Sequence, residues 1–141
     1  MAEPGPQTSL IVGVSFSGKT SLCVKICKTR ACRVYVIEGS PHPYKSVGLK
    51  ATRISWGDIP NFDRTDVTVV ADDVSKLTPS ELRAAKRLLN VLSRHNRLLC
   101  LICIHGIVKH DAYSLLPYFN TIYFTKANGN RRSINAGAKL F

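Results

Sequence analysis

Apolar and polar positions fall in blocks along the chain, and the blocks read as alternating strands and helices. Residues 9–14 form a short apolar run, expected as a buried strand. A mixed stretch from Gly18 to about Lys28 follows, with the spacing of a helix. Residues 33–38 (RVYVIE) make a second strand, closed by Gly39-Ser40-Pro41-His42-Pro43. Residues 50–56 (KATRISW) suggest a short third strand, and residues 58–64 a polar loop. Residues 65–71 are strongly apolar and stop at Asp72-Asp73.

The clearest local signal comes next. In Thr78-Pro79-Ser80-Glu81 a capping residue precedes proline at the first helical position, with glutamate two further on. That is a capping box, and proline is placed where its missing N–H costs nothing. The helix is expected to run to about residue 93, with Leu82, Ala85, Leu89 and Leu92 on one face and Arg83, Lys86 and Arg87 on others. Residues 97–105 form another buried strand, 111–116 a short helix ended by Pro117, and 120–125 a last strand. Continuous apolar strands alternating with helices predict an α/β fold, a mostly parallel sheet covered on both faces. No internal repeat or linker divides the chain. The reading is a lead over residues 1–8, one domain over 9–127, and a basic, loosely ordered tail over 128–141.

Composition changes this picture in two places. The chain of 141 residues carries a net charge of +11, which suits a polyanionic partner such as nucleic acid. A basic surface kept for solubility is the plainer alternative. The five cysteines are an odd number and the N-terminal residues lack a signal-peptide pattern, so reduced thiols in an intracellular protein are expected. Cys100 and Cys103 have CxxC spacing, but on one strand they face opposite ways, which suits neither zinc nor redox pairing. No apolar run reaches the length of a membrane span.

The candidate chemistry begins at residues 13–20, GVSFSGKT, which fit G-x-x-x-x-G-K-[ST] between a strand and a helix. Gly13 and Gly18 let the backbone curl around a phosphate, with Val14, Ser15, Phe16 and Ser17 between them and Ser21 just beyond. Lys19 would reach the β- and γ-phosphates, and the Thr20 hydroxyl would hold Mg²⁺. The other half of such a site is an acid ending a second apolar strand. Asp72 would accept from the hydroxyl or water ligands of Mg²⁺, and Asp73 would orient or deprotonate the attacking water. An Asp pair capping a turn is the bland alternative.

Two further residues complete the candidates. His105 ends the next apolar strand, where it can contact the γ-phosphate or stand as a strand-end histidine. Arg94 closes the basic helix and reads either as a solvated charge or as an arginine finger for a neighbouring subunit.

GVSFSGKT, SPHPY (40–44), VVADDVSKL (69–77), SRHN (93–96), ICIHGIVKH (102–110) and LPYFNTIYF (116–124) together resemble the poxvirus-type genome-packaging ATPases of the FtsK/HerA superfamily, over residues 8–125. The resemblance implies a three-layer P-loop NTPase of the additional-strand, RecA/FtsK-like kind, with one strand between the two nucleotide-site strands. It implies ATP and Mg²⁺ as cofactors and a ring, usually a hexamer, that drives double-stranded DNA into a capsid. A capsid or portal-like protein is then a partner. The location implied is the host cytoplasm or nucleus, or the virion. By position Lys19 and Thr20 are the Walker A pair and Asp72 and Asp73 the Walker B acids. Arg94 falls in the family's arginine-bearing segment, and His105 stands where glutamine is more usual. A small GTPase would need a guanine-reading aspartate where Thr125-Lys126-Ala127-Asn128 has Asn128. A small-molecule kinase would need a lid around Arg131-Arg132. A P-loop assembly protein without turnover is a further alternative.

Overall fold

A computed structural model describes residues 7–13, 18–30, 32–72, 74, 76–104 and 111–125, of which 111–113 are described by their backbone alone. Six strands form one sheet: β1 (Gln7–Val12), β2 (Val34–Ile37), β3 (Ala51–Ile54), β4 (Thr68–Ala71), β5 (Leu99–Ile104) and β6 (Thr121–Phe124). Their order is β3-β2-β4-β5-β1-β6, and every neighbouring pair runs parallel. Parallel neighbours cannot be joined by a tight hairpin. Each connection must cross over a face of the sheet, and this covers both faces.

Alternation along the strands divides the interior into two layers. Leu10, Val12, Tyr35, Ile37, Val69, Ala71, Cys100, Ile102 and Ile104 face one side. There they meet Ala84, Ala85, Leu88, Leu89 and Leu92 of the long helical segment after β4. Ile11, Val34, Val36, Val70, Leu99, Leu101 and Cys103 face the other side, against Cys23 and Cys27 of helix α1 (Lys19–Arg30) and Tyr44 of helix α2 (His42–Lys45). Helix, sheet and helix are therefore the three layers expected. The CxxC pair is split as expected: Cys100 lies in one layer and Cys103 in the other.

The capping box forms as the sequence indicates. Glu81 N–H donates to the Thr78 hydroxyl at 3.2 Å, and Thr78 N–H donates to Glu81 Oε1 at 2.8 Å. The helix it starts is not regular through residue 93. Helix α3 spans Pro79–Arg87, a π-helical turn follows over Leu88–Leu92, and one further turn covers Ser93–His95. The buried Ser93 hydroxyl donates back to Leu89 C=O at 2.7 Å, a local bond that competes with the α ladder.

Three other expectations change. Residues 58–64 are not simply a polar loop, because Trp56–Asn61 form a 3₁₀-helix that buries Trp56 and Ile59. Its start is fixed by Ser55 N–H donating to Asp58 Oδ2 at 2.8 Å, so the polar residues serve as caps around two apolar anchors. The lead is shorter than eight residues. Gln7 and Thr8 belong to β1, and Thr8 is buried with its hydroxyl donating to Tyr118 C=O at 2.6 Å. Pro117 lies inside the 3₁₀-helix Asp111–Tyr118 rather than ending it. The tail 128–141 lies outside the described residues. No helix among the described residues is long and apolar enough to cross a membrane.

Candidate nucleotide-binding site

In a parallel sheet all strands end on one edge, and the loops beyond that edge form the usual ligand crevice. Gly13 follows β1 there, its N–H donating to Ile104 C=O at 3.0 Å and carrying the ladder to the edge. Gly18 has φ +91°. A Cβ added to it would meet nothing within 4 Å, so backbone conformation rather than space calls for glycine. Its C=O accepts from Leu22 N–H at 2.9 Å, opening α1. The N–H groups of Lys19, Thr20 and Ser21 then have no acceptor within the helix. No acidic residue lies in the first turn of α1 to compete for them, and this leaves the positive end of the dipole available to an anion.

Lys19 is the unusual residue. It is only 7% exposed, yet its Nζ has no hydrogen-bond partner. A buried amine without a partner is costly, since the water it gave up is not replaced. Thr20, one residue on, donates through Oγ1 to Asp72 Oδ2 at 3.2 Å. Asp72 follows β4, and β4 is separated from β1 by β5. The structure therefore brings Gly13, Gly18, Lys19, Thr20, Ser21 and Asp72 to one edge, with Ser21 exposed. Val14, Ser15, Phe16, Ser17, Asp73 and His105 lie outside the described residues.

The donor set fits a magnesium nucleotide. Magnesium is usually held by one or two carboxylates together with substrate phosphates, not by a full protein cage. Thr20 and Asp72 supply a hydroxyl and a carboxylate, and the unpartnered Lys19 Nζ supplies a donor for a phosphate oxygen. Among the described residues, no three His, Cys, Asp or Glu side chains cluster as metal ligands.

Arg94 is not brought to this edge. It precedes β5, at the opposite end of the strands, about 20 Å away for a six-residue strand. Its Nη2 donates to Asn90 Oδ1 at 2.8 Å and its Nε to Asn90 C=O at 3.2 Å, so the exposed guanidinium folds back along its own helix. It lines a cavity of about 290 Å³ with Thr8, Ser93, Tyr118 and Asn120.

Two residues near Asp72 escaped the sequence reading. Glu38 follows β2, which pairs with β4, and has φ +52°, a left-handed conformation unfavourable for a residue with a Cβ. It shares with Asp72 a cavity of about 160 Å³. Its signal was visible: an acid closing a strand expected to be parallel points to the same edge. Tyr44 is 1% exposed and its Oη also lacks a hydrogen-bond partner. Burial pushes its phenol up, with the thiols of Cys23, Cys27 and Cys103 and the Asp72 carboxylate adding to the effect. No simple pattern marks Tyr44, because an aromatic in a Pro-rich turn reads as packing.

The thiols beneath the site are inert. Cys23 Sγ and Cys103 Sγ lie 3.3 Å apart, and both are free and buried. The Cys23 hydrogen bond and then burial hold the Cys103 thiol well above its ordinary range. Burial pushes Cys27 and Cys100 up to about 12. Such groups remain protonated at neutral pH and are poor metal ligands or nucleophiles. In comparisons with known proteins, the chain matches no family model and no curated protein.

Proposed function

We propose that this protein is a P-loop ATPase that binds Mg-ATP and couples its hydrolysis to movement of nucleic acid, with viral DNA packaging as the process. The observation that carries the nucleotide part is the buried, unpartnered Lys19 Nζ at the start of α1, where the first N–H groups have no acceptor within the helix. A triphosphate supplies the acceptors that both lack. Thr20 and Asp72 would hold the magnesium ion, which when bound screens the charge of the terminal phosphates. Lys19 orients the phosphate chain and neutralises charge that builds up on it. Asp73, next in sequence to Asp72, is the proposed base, and His105 the proposed contact for the γ-phosphate or water.

Supporting the motor reading is the strand order. One strand, β5, lies between β1 and β4, as the resemblance to the packaging ATPases implies. Arg94, at the far end of the strands, can act on a nucleotide only if that nucleotide belongs to a neighbouring chain, which agrees with a ring. The net charge of +11 suits a DNA partner, and the capsid partner rests on the resemblance.

The direct test of nucleotide binding is a thermal-shift titration with Mg-ATP and Mg-GTP. ATP at about 100 times its Kd should stabilise the protein by about 2.7 kcal/mol. No shift with either nucleotide contradicts the reading, and a shift with GTP alone favours a nucleotide switch. For the DNA part, affinity should fall steeply as salt rises, and a flat response assigns the positive charge to another partner.

A further inference from the structure

Charge is sorted along the strand direction. Glu38, Asp58, Asp72 and Glu81 follow β2, β3 and β4, toward the edge that holds the candidate nucleotide site. The opposite edge, where the strands begin, is basic. Lys50 C=O accepts from Val34 N–H at 2.8 Å, Arg33 C=O from Thr68 N–H at 2.9 Å and Val67 C=O from Leu99 N–H at 3.1 Å. The register therefore sets Lys50, Arg33, Val67 and Leu98 in one row across the starts of β3, β2, β4 and β5. Arg97 stands next to Leu98, and Arg30 at the end of α1 joins it, its Nη2 donating to Arg97 C=O at 3.1 Å. Arg33, Lys50 and Arg97 are exposed. In the loop that leads into β4, Asp66 pairs with Arg97 at 3.3 Å, and Asp63 is followed by Arg64.

A helix C-terminus attracts cations, which accounts for Lys28 and Arg30 at the end of α1. It does not account for Arg33 and Lys50. These precede neighbouring strands, about 5 Å apart along the backbone, and neither forms an ion pair among the described residues. Like charges so placed repel each other, and a line of anions relieves the repulsion. The geometry points to this row as the surface that receives double-stranded DNA, its phosphates lying across the starts of β3, β2, β4 and β5, opposite the nucleotide edge. This deepens the nucleic-acid part of the proposed function and rests on it. Four neighbouring strands span about 14 Å, the rise of about four phosphates along one DNA strand. The exposed large apolar residues, Val47, Val91 and Tyr123, are not in the row, so it lacks the apolar centre of a protein interface. Arg94 shares a cavity with Thr8 and Asn120, at the starts of β1 and β6, and the row runs the other way from β5.

The test is Arg33→Gln/Lys50→Gln in the full chain, against Arg83→Gln/Arg87→Gln, which removes the same charge from exposed positions of α3. Binding of a fluorescein-labelled DNA duplex is followed by anisotropy between about 0.05 and 0.2 M salt. Both variants change exposed side chains and should melt with wild type. In the first, affinity at about 0.1 M salt should fall about tenfold or more, and the slope of log affinity against log salt should flatten by about 1.8, the worth of two phosphate contacts. The second should stay within about twofold of wild type, because charges off the contact surface release no counterions. The exchange Arg33→Lys/Lys50→Arg keeps the charge and should keep the slope. Equal losses in the two Gln variants show that DNA senses net charge alone and overturn the inference, as does an unchanged slope in the first or a lost slope in the exchange. A wild type that binds no duplex overturns the nucleic-acid reading as well, and binding of poly-L-glutamate in its place assigns the row to an acidic protein.

Discussion

Thr20 Oγ1 donates a hydrogen bond of 3.2 Å to Asp72 Oδ2, linking residues 52 apart in sequence across the intervening strand β5. Two strands of the sheet are about 10 Å apart when a third lies between them. Here the first turn of α1 and the residue after β4 bring their side chains together beyond the strand ends and close that gap. The contact therefore joins the two halves of the candidate site, the opening of α1 and the end of β4.

Thr20→Ser should keep the contact and Thr20→Ala remove it. With magnesium present, nucleotide affinity should fall about five- to tenfold in Thr20→Ala, and by much less in Thr20→Ser. Calorimetric titration of both variants with Mg-ATP checks this. Equal affinities would place the hydroxyl outside the metal's surroundings.

Lys19→Met should separate binding from folding. The substitution keeps the length of the side chain and deletes the unpartnered amine, so the free protein should melt no lower than wild type and can melt higher. The stabilisation conferred by Mg-ATP should largely disappear. A lower melting temperature in the free variant would show that Lys19 Nζ already has a partner in the free protein.

Thr78→Ala removes the hydroxyl that accepts from Glu81 N–H. The loss should be about 1 kcal/mol, or roughly 3 °C in melting temperature for a domain of this size. Thermal unfolding followed by circular dichroism measures it, and nucleotide affinity should not change.

Of the five cysteines, Cys23, Cys27, Cys100 and Cys103 are buried and only Cys32 is partly exposed. Reaction with a thiol reagent at pH 8 should therefore label Cys32 quickly and the remaining four only on unfolding. The raised thiols also give a sign for alkaline stability. Cys27 and Cys100 are held up to about 12 in the folded protein, so they bind protons there that the unfolded chain has released. Their contribution to stability is complete below about pH 8.5 and is lost as pH rises toward 12. A melting temperature that rises across that window would contradict the burial of these thiols.

The sheet was largely legible in the sequence because β1, β2, β4 and β5 carry apolar runs that stop near Gly or Asp; β3, with Thr52 and Arg53 exposed, is the weaker pattern. Each of the six expected strands is present, and the Thr78 cap starts its helix as the sequence implies. The misses were local and had physical reasons. The Trp56–Asn61 turn looked polar because its two buried residues are separated by capping and turn residues. The π turn at Leu88–Leu92 sits beside a Ser93 hydroxyl bonded back to Leu89 C=O, a local detail that helical periodicity does not mark. In the site, Lys19, Thr20 and Asp72 were readable because phosphate and magnesium chemistry restrict residue type and spacing. Glu38 was marked only as an acid closing a strand expected to be parallel; Tyr44 was not marked, because its burial comes from where α2 places it, a tertiary property that local sequence does not encode.

The measurement that tests the account most directly is the rate of ATP hydrolysis, with and without double-stranded DNA, for wild type and Lys19→Ala at concentrations that permit assembly. The account predicts magnesium-dependent turnover by wild type, a higher rate with DNA, and loss of turnover in Lys19→Ala. Wild type without turnover under any of these conditions, or Lys19→Ala turning over at the wild-type rate, would contradict it.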